Sequence, residues 1–175
     1  MQWFSNAFVS VRDFMELGGP ILTLIGWVIF GMWALIFERM IYFQTVLRKL
    51  KAEIRDKWEG RAERSSWYAY QIREGMISQF SMSASTTVPI VQTLVALCPL
   101  LGLMGTVTGM IEVFDAMAFS GSGNARSMAS GVSRATIPTM AGMVGALSGV
   151  FLVTILTRRV ETEVETLEEE LTMDH

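Results

Sequence analysis

The chain has 175 residues, 51% of them hydrophobic, and 14 Lys and Arg stand against 17 Asp and Glu. The apolar residues form long blocks rather than amphipathic repeats, which excludes an ordinary soluble domain, and the near balance of charge excludes a general nucleic-acid binder. With one cysteine, Cys98, and one histidine, His175, neither an intrachain disulfide nor a closed His/Cys zinc site of about four ligands can form.

Residues 1–18 lack the basic start, compact apolar core and small-residue cleavage site of a secretory signal. Trp3, Phe4, Phe8, Val11, Phe14 and Met15 recur at roughly helical spacing. The reading is an amphipathic helix in the membrane interface with Trp3 near the headgroups, against the plainer reading of a disordered tail. Gly18-Gly19-Pro20 then punctuates the start of a first span within residues 19–38, whose stretch Pro20 to Phe37 carries no charge; Glu38-Arg39 marks its end. Trp27 and Trp33 are expected to face lipid or a neighbouring helix.

The basic segment 39–87 follows. Residues 48–64 carry seven basic and four acidic side chains, with Leu47, Leu50, Ile54 and Trp58 at helical spacing. The first helix is therefore expected to continue past the membrane as an amphipathic arm. The second apolar block, 88–117, would be about 45 Å long as a helix, more than the hydrocarbon thickness of about 30 Å, so it tilts or projects. Its span is placed at Val91 to Phe114, where Cys98 reads as a small buried hydrophobe. A short Gly/Ser-rich link, 118–133, leads to the third span, 134–158, closed by Arg158-Arg159. The tail, 159–175, is acidic, and Val160, Val164, Leu167 and Leu171 stripe one helical face. Arm and tail have opposite net charge. They are expected to pack with their apolar stripes inward, because exposed ion pairs add only about 0–1 kcal/mol each.

Basic residues set the direction. One, Arg12, precedes the first span; nine lie between Glu38 and Thr87; one, Arg126, lies in the 118–133 link; two, Arg158 and Arg159, stand where the third span closes. The basic-rich segment belongs in the cytoplasm, which places the N-terminus outside and the C-terminus inside.

The second and third spans differ in kind from the first. Gly105 and Gly109 form a GxxxG pair on one, Gly145 and Gly149 on the other, with Gly142 three residues before Gly145. Lipid tails are as apolar as leucine, so helices in a bilayer associate by close packing over small residues, and these two should form a hairpin. The motif alone is equally compatible with tight packing and no transport. Polar groups accumulate on the same two helices: Gln92, Thr93, Thr106, Thr108 and Glu112, then Arg134, Thr136, Thr139, Ser148 and Thr154. Polar atoms in hydrocarbon need partners, so these helices should face protein or water and the first helix should lie outermost. Arg134, Pro138, Ala141, Gly145 and Ser148 share one stripe; Thr139, Gly142, Ala146 and Gly149 share its neighbour. Pro138 lacks the amide that would bond the Arg134 carbonyl. Glu112 and Arg134 read either as interfacial charges or as a charged mouth to a central cavity. Thr106 and Thr139 line a path or bond their own helix backbone, as membrane threonines often do.

Leu100 to Phe114, LLGLMGTVTGMIEVF, and Gly131 to Leu147, GVSRATIPTMAGMVGAL, resemble the MotA/TolQ/ExbB proton-channel family, and the length resembles its ExbB/TolQ branch. The resemblance implies an all-α membrane protein with three transmembrane helices, an amphipathic N-terminal helix and cytoplasmic helical extensions. It implies assembly as a homopentamer around a central pore in the inner membrane of a Gram-negative bacterium. Single-span ExbD helices would occupy that pore, and TonB would carry the work to outer-membrane transporters. Protons would be the coupling ion, no cofactor or metal is expected, and membrane lipids are expected partners; nucleic acid is not. Thr106, after Gly105 in the GTVxG run, and Thr139, three residues before Gly142, match the family's pore threonines; Ser148 and Arg134 are carried with them as pathway candidates and Glu112 as the pore mouth. At Arg134 the family pattern has an acid, and an arginine that stays charged cannot relay a proton; it would instead anchor a partner's carboxylate or a lipid phosphate. The pattern is similar to the shorter ExbB variety of second-type TonB systems, which add a larger ExbB-like component. The alternatives are a TolQ-like subunit for envelope integrity and a membrane scaffold that moves no ions. No nucleophile–base pair, metal cluster or P-loop pattern points to an enzyme, and Gly102-x-x-Gly105 lacks the Lys-Ser/Thr ending of a phosphate cradle.

Overall fold

The structure, a computed structural model, describes residues 2–120 and 125–172, with side chains at 9, 11–16, 18–119 and 128–172. The expected headgroup contact of Trp3, the spacing of Phe4 and Phe8, and His175 lie outside the described side chains. The described chain is helical apart from short turns: α1 (Gln2–Tyr42), a single π-helical turn (Phe43–Leu47), α2 (Arg48–Glu59), α3 (Trp67–Ser85), α4 (Val88–Ser120) and α5 (Ala125–Glu170). Three helical stretches are long and apolar enough to cross a membrane, Gly18–Glu59, Trp67–Phe119 and Met128–Glu170. The chain is a multi-pass, all-helical membrane protein.

α1 is broken at Gly19, whose backbone lies at φ 66°, ψ −161°. That region is open essentially to glycine alone, and Pro20 follows with no amide to continue the ladder. The segment 118–133, expected as a link, is mostly helix: α4 runs on to Ser120 and α5 begins at Ala125. Gly and Ser lower helix propensity by at most about 1 kcal/mol each, too little to stop two long helices once they are packed.

The chain divides into two compact units, residues 1–32 with 93–150 and residues 33–92 with 151–175. In the second unit, the π-helical turn, α2, α3 and the end of α5 bury one core containing Leu47, Ile54, Trp58, Phe80, Leu167 and Leu171. Each fully buried large side chain contributes about 1.5–3 kcal/mol. The arm stripe and the tail stripe meet in this core, and the Trp58 indole donates to the Thr172 carbonyl at 3.0 Å. Arg73 of α3 holds the same end of the tail, donating to the Leu171 and Glu168 carbonyls at 2.7 Å each. Charge plays a smaller part: Lys51 meets Glu170 at 3.1 Å and Glu163 at 3.9 Å. The helix α3 itself starts at Ser66, whose hydroxyl caps the Ala69 amide.

Arg39 does more than mark the end of a span. It is only 4% exposed. Its guanidinium donates to the Ser83 and Ala84 carbonyls at the end of α3 and lies 4.3 Å from the centre of the Tyr42 ring. The last carbonyls of a helix lack internal partners and carry partial negative charge, so a cation there satisfies both needs.

Candidate functional site

The first unit is built around close backbone approach. A Cβ placed on Gly102 would lie 2.9 Å from the Thr139 Cα and 3.0 Å from the Pro138 carbonyl oxygen. On Gly109 it would lie 2.8 Å from the Ala135 Cβ, and on Gly105 2.5 Å from the Pro138 Cβ. On Gly142 it would run into the Cys98 carbonyl oxygen. α4 and α5 are thus pressed together over Gly102, Gly105, Gly109 and Gly142, the glycine-notched hairpin that small residues allow in a bilayer.

The glycine pair on α5 does something the sequence did not indicate. A Cβ on Gly145 would meet the Ile29 side chain, and one on Gly149 would lie 2.6 Å from the Met32 Sδ and 2.5 Å from the Val95 Cγ2. Gly145 and Gly149 therefore admit side chains of α1, so one helix carries two notches for two neighbours. The buried face of α5 takes Pro138 and Gly145 from one predicted stripe and Gly142, Ala146 and Gly149 from the other. Gly102 was missed as a packing residue; its i, i+3 relation to Gly105 was the available signal.

The polar candidates separate by what their hydroxyls do. The Thr139 hydroxyl donates to the Gly102 carbonyl at 2.8 Å, a bond between helices. Thr106 donates to Leu103 at 2.7 Å and Ser148 to Gly145 at 2.8 Å, each within its own helix. All three sites are half-buried. Thr139 ties the hairpin at its tightest point, and only two of the three hydroxyls are spent on local backbone.

Glu112 and Arg134 are brought to one place. Both line a cavity of about 790 Å³, whose wall includes the hinge glycines Gly18 and Gly19 as well as Gly105 and Gly109. Both side chains are exposed. Glu16 also lines this cavity, its carboxylate already paired with Arg12 at 2.9 Å. The site thus holds one permanent cation with acids around it, in a chamber with glycine walls. Chemically it can hold an anion or exchange ion pairs; the guanidinium itself cannot give up its proton.

Beyond the hairpin contact, each helix leaves an apolar face uncovered. On α4 it is Leu100, Leu103, Met104, Val107, Ile111 and Phe114; on α5 it is Met140, Met143, Val144, Leu147 and Phe151. Their i, i+3, i+4, i+7 spacing makes each a continuous stripe.

The chain is 41% identical over 70 residues to a protein of Synechocystis sp. called "Putative biopolymer transport protein ExbB-like 1", a match covering 38% of this chain and 28% of that protein. It is 36% identical over 59 residues to "Putative biopolymer transport protein ExbB-like 3" of the same organism, covering 33% of this chain and again 28% of the relative. Both matches therefore span well under half of the relatives' length. The signature of the MotA/TolQ/ExbB proton channel family, a channel and motor family and not an enzyme family, runs over residues 38–169. That stretch holds the notched hairpin and most of the second unit, and the chain belongs to the MotA/TolQ/ExbB proton channel family.

Proposed function

We propose that this chain is an ExbB-like inner-membrane subunit of a motor driven by the proton-motive force. With a single-span ExbD-like partner it energises TonB-dependent transport across the outer membrane. Five copies surround a lumen, the N-terminus lies in the periplasm, and the basic arm and acidic tail lie in the cytoplasm. The second and third spans enclose the partner helix, with Thr106, Thr139 and Ser148 near the proton path. Arg134 does not relay protons there; beside Glu112 it holds the carboxylate of a partner.

The observation that carries this reading is the Thr139–Gly102 bond between two helices inside the family's signature region. A bond between helices at this point fixes the facing of both threonine positions, which a scaffold held together only by glycine packing does not need. The uncovered stripes on α4 and α5 further support assembly with other helices.

The test is proton flux through the chain reconstituted with its ExbD-like partner. Thr139→Val and Arg134→Ala are each expected to reduce flux and energised uptake. Unchanged flux and uptake in both variants would remove these residues from the mechanism, and absence of flux in the wild type would leave a scaffold. Co-purification with TonB and ExbD supports the transport role; recovery with Tol proteins alone would assign the chain to envelope integrity.

A further inference from the structure

A second cavity, of about 340 Å³, lies in the unit formed by residues 33–92 and 151–175. Three arginines line it: Arg48 at the start of α2, and Arg158 and Arg159 on α5. All three side chains are exposed, and none makes a hydrogen bond or ion pair among the described residues. The one carboxylate on the lining, Glu163, is already engaged by Lys51 at 3.9 Å. Three cations thus stand on the lining against that one carboxylate. The floor is apolar, formed by Phe43 and Ile155, and Gln44 and Thr162 add polar groups at the rim.

The position of these arginines along the chain narrows the ligand. Between Arg134 and Arg158 the sequence carries no charge. Between Arg12 and Arg48 the only other cation is Arg39, which is buried and spent on backbone carbonyls. Arg48 is the first exposed cation after the apolar stretch 40–47 that carries the first helix past Glu38-Arg39, and Arg158 is the first after the uncharged stretch 135–157, so both stand at the edge of apolar sequence. A soluble anion would have no use for the Phe43–Ile155 floor. A phospholipid uses both parts, with its phosphate among the guanidinium groups and the top of a chain against the floor. Guanidinium binds phosphate oxygens in paired, charge-assisted bonds. Basic pockets between membrane helices on the cytoplasmic side are known to suit anionic headgroups.

We infer that Arg48, Arg158 and Arg159 form a binding site for the headgroup of an anionic phospholipid, such as phosphatidylglycerol. The site is separate from the Arg134 cavity and does not depend on proton conduction.

The experiment uses the full-length assembly extracted from membranes and exchanged into neutral detergent. Phosphatidylglycerol, phosphatidylcholine and inorganic phosphate are titrated separately, with bound lipid per subunit counted by native mass spectrometry. The wild type is expected to retain phosphatidylglycerol, to discriminate against zwitterionic phosphatidylcholine, and to keep its lipid in millimolar phosphate. R48Q/R158Q/R159Q should weaken phosphatidylglycerol binding on the order of 100-fold, from the attraction contributed by each basic group near an anionic surface. The control K49Q/R55Q/K57Q, which removes the same charge from exposed positions outside the cavity, should bind as the wild type does. R48K/R158K/R159K keeps the charge and should lose about tenfold or less, which covers the case in which the glutamine variant does not fold. Several results would overturn the assignment. Equal loss in the glutamine triple and the control would make the effect one of net charge. Displacement by inorganic phosphate would make the site one for a soluble anion. No wild-type preference over phosphatidylcholine would remove the role of the arginines. Dissociation of the oligomer by the glutamine triple with unchanged lipid content would place a second copy of the chain in the cavity.

Discussion

Replacing Gly142 by alanine tests the hairpin at its narrowest point. The added Cβ meets the Cys98 carbonyl oxygen and would lie 3.3 Å from the Gly102 Cα. Both obstacles are backbone, so no side-chain rotation relieves them. α4 and α5 must separate by roughly 1 Å to restore ordinary contact, a distance that a close-packed interface does not absorb freely. The Thr139 hydroxyl now sits 2.8 Å from the Gly102 carbonyl. A separation of about 1 Å would stretch that to roughly 3.8 Å, beyond hydrogen-bonding range. Overpacking of this kind costs about 1–3 kcal/mol. The lost interhelical bond adds about 0.6–1.7 kcal/mol in a membrane. Gly142→Ala should therefore destabilise the chain by about 2–5 kcal/mol in denaturant titration of the detergent-solubilised protein. Gly31→Ala is the internal standard, because a Cβ there meets nothing within 4 Å. That change should be neutral or stabilising by up to about 1 kcal/mol through helix propensity. If Gly142→Ala and Gly31→Ala unfold at the same denaturant concentration, the close approach of α4 and α5 does not hold.

Four further outcomes are expected. Arg39→Met leaves two helix-end carbonyls without their donor and should lower stability by about 2–5 kcal/mol, read as a fall in thermal midpoint; a change under about 0.5 kcal/mol would show the carbonyls satisfied otherwise. Leu171→Ala empties a fully buried position in the core under the tail and should cost about 2–5 kcal/mol, exposing the tail to limited proteolysis. High salt should leave the wild-type tail protected, because the few pairs that reach it, such as Lys51–Glu163 and Arg73–Glu168 at 3.9 and 3.8 Å, are each worth about 1 kcal/mol or less; cleavage at high salt would mean that charge, not burial, holds it. Gly19→Ala forces a side chain into a backbone region reserved for glycine and should cost about 1–3 kcal/mol in the same unfolding assay.

Much of the architecture could be read from residues alone. Three long apolar blocks pointed to three helices able to cross a membrane, Gly19-Pro20 announced the break in α1, and the spacings of Leu47, Ile54 and Trp58 and of Leu167 and Leu171 placed buried faces on arm and tail. Periodicity works there because one side of each helix meets apolar partners. It fails for α3, whose buried face of Ala69, Met76, Ile77, Phe80 and Ala84 is matched by exposed Trp67, Tyr68, Tyr70 and Met82 on its other sides, so apolar residues surround the helix and no period stands out. Arg39 looked like a boundary marker, since an arginine after an apolar run usually reaches for water or headgroups. Its burial depends on α3 ending beside it, and no spacing within α1 records that. Likewise Gly145 and Gly149 were visible as notches, but what fills them, Ile29 and Met32 of α1, depends on three-helix geometry. Glu112 and Arg134 stood out as charges in apolar surroundings; that they share one cavity follows only from the register that Gly109 sets against Ala135.

A density map of the intact assembly in a lipid nanodisc tests most directly whether α4 and α5 enclose a proton path. The expected result is a closed ring of subunits with Thr106 and Thr139 turned to a central lumen that holds one or more single helices of a partner. A map in which these two helices turn those positions toward acyl chains, around no lumen, would contradict it.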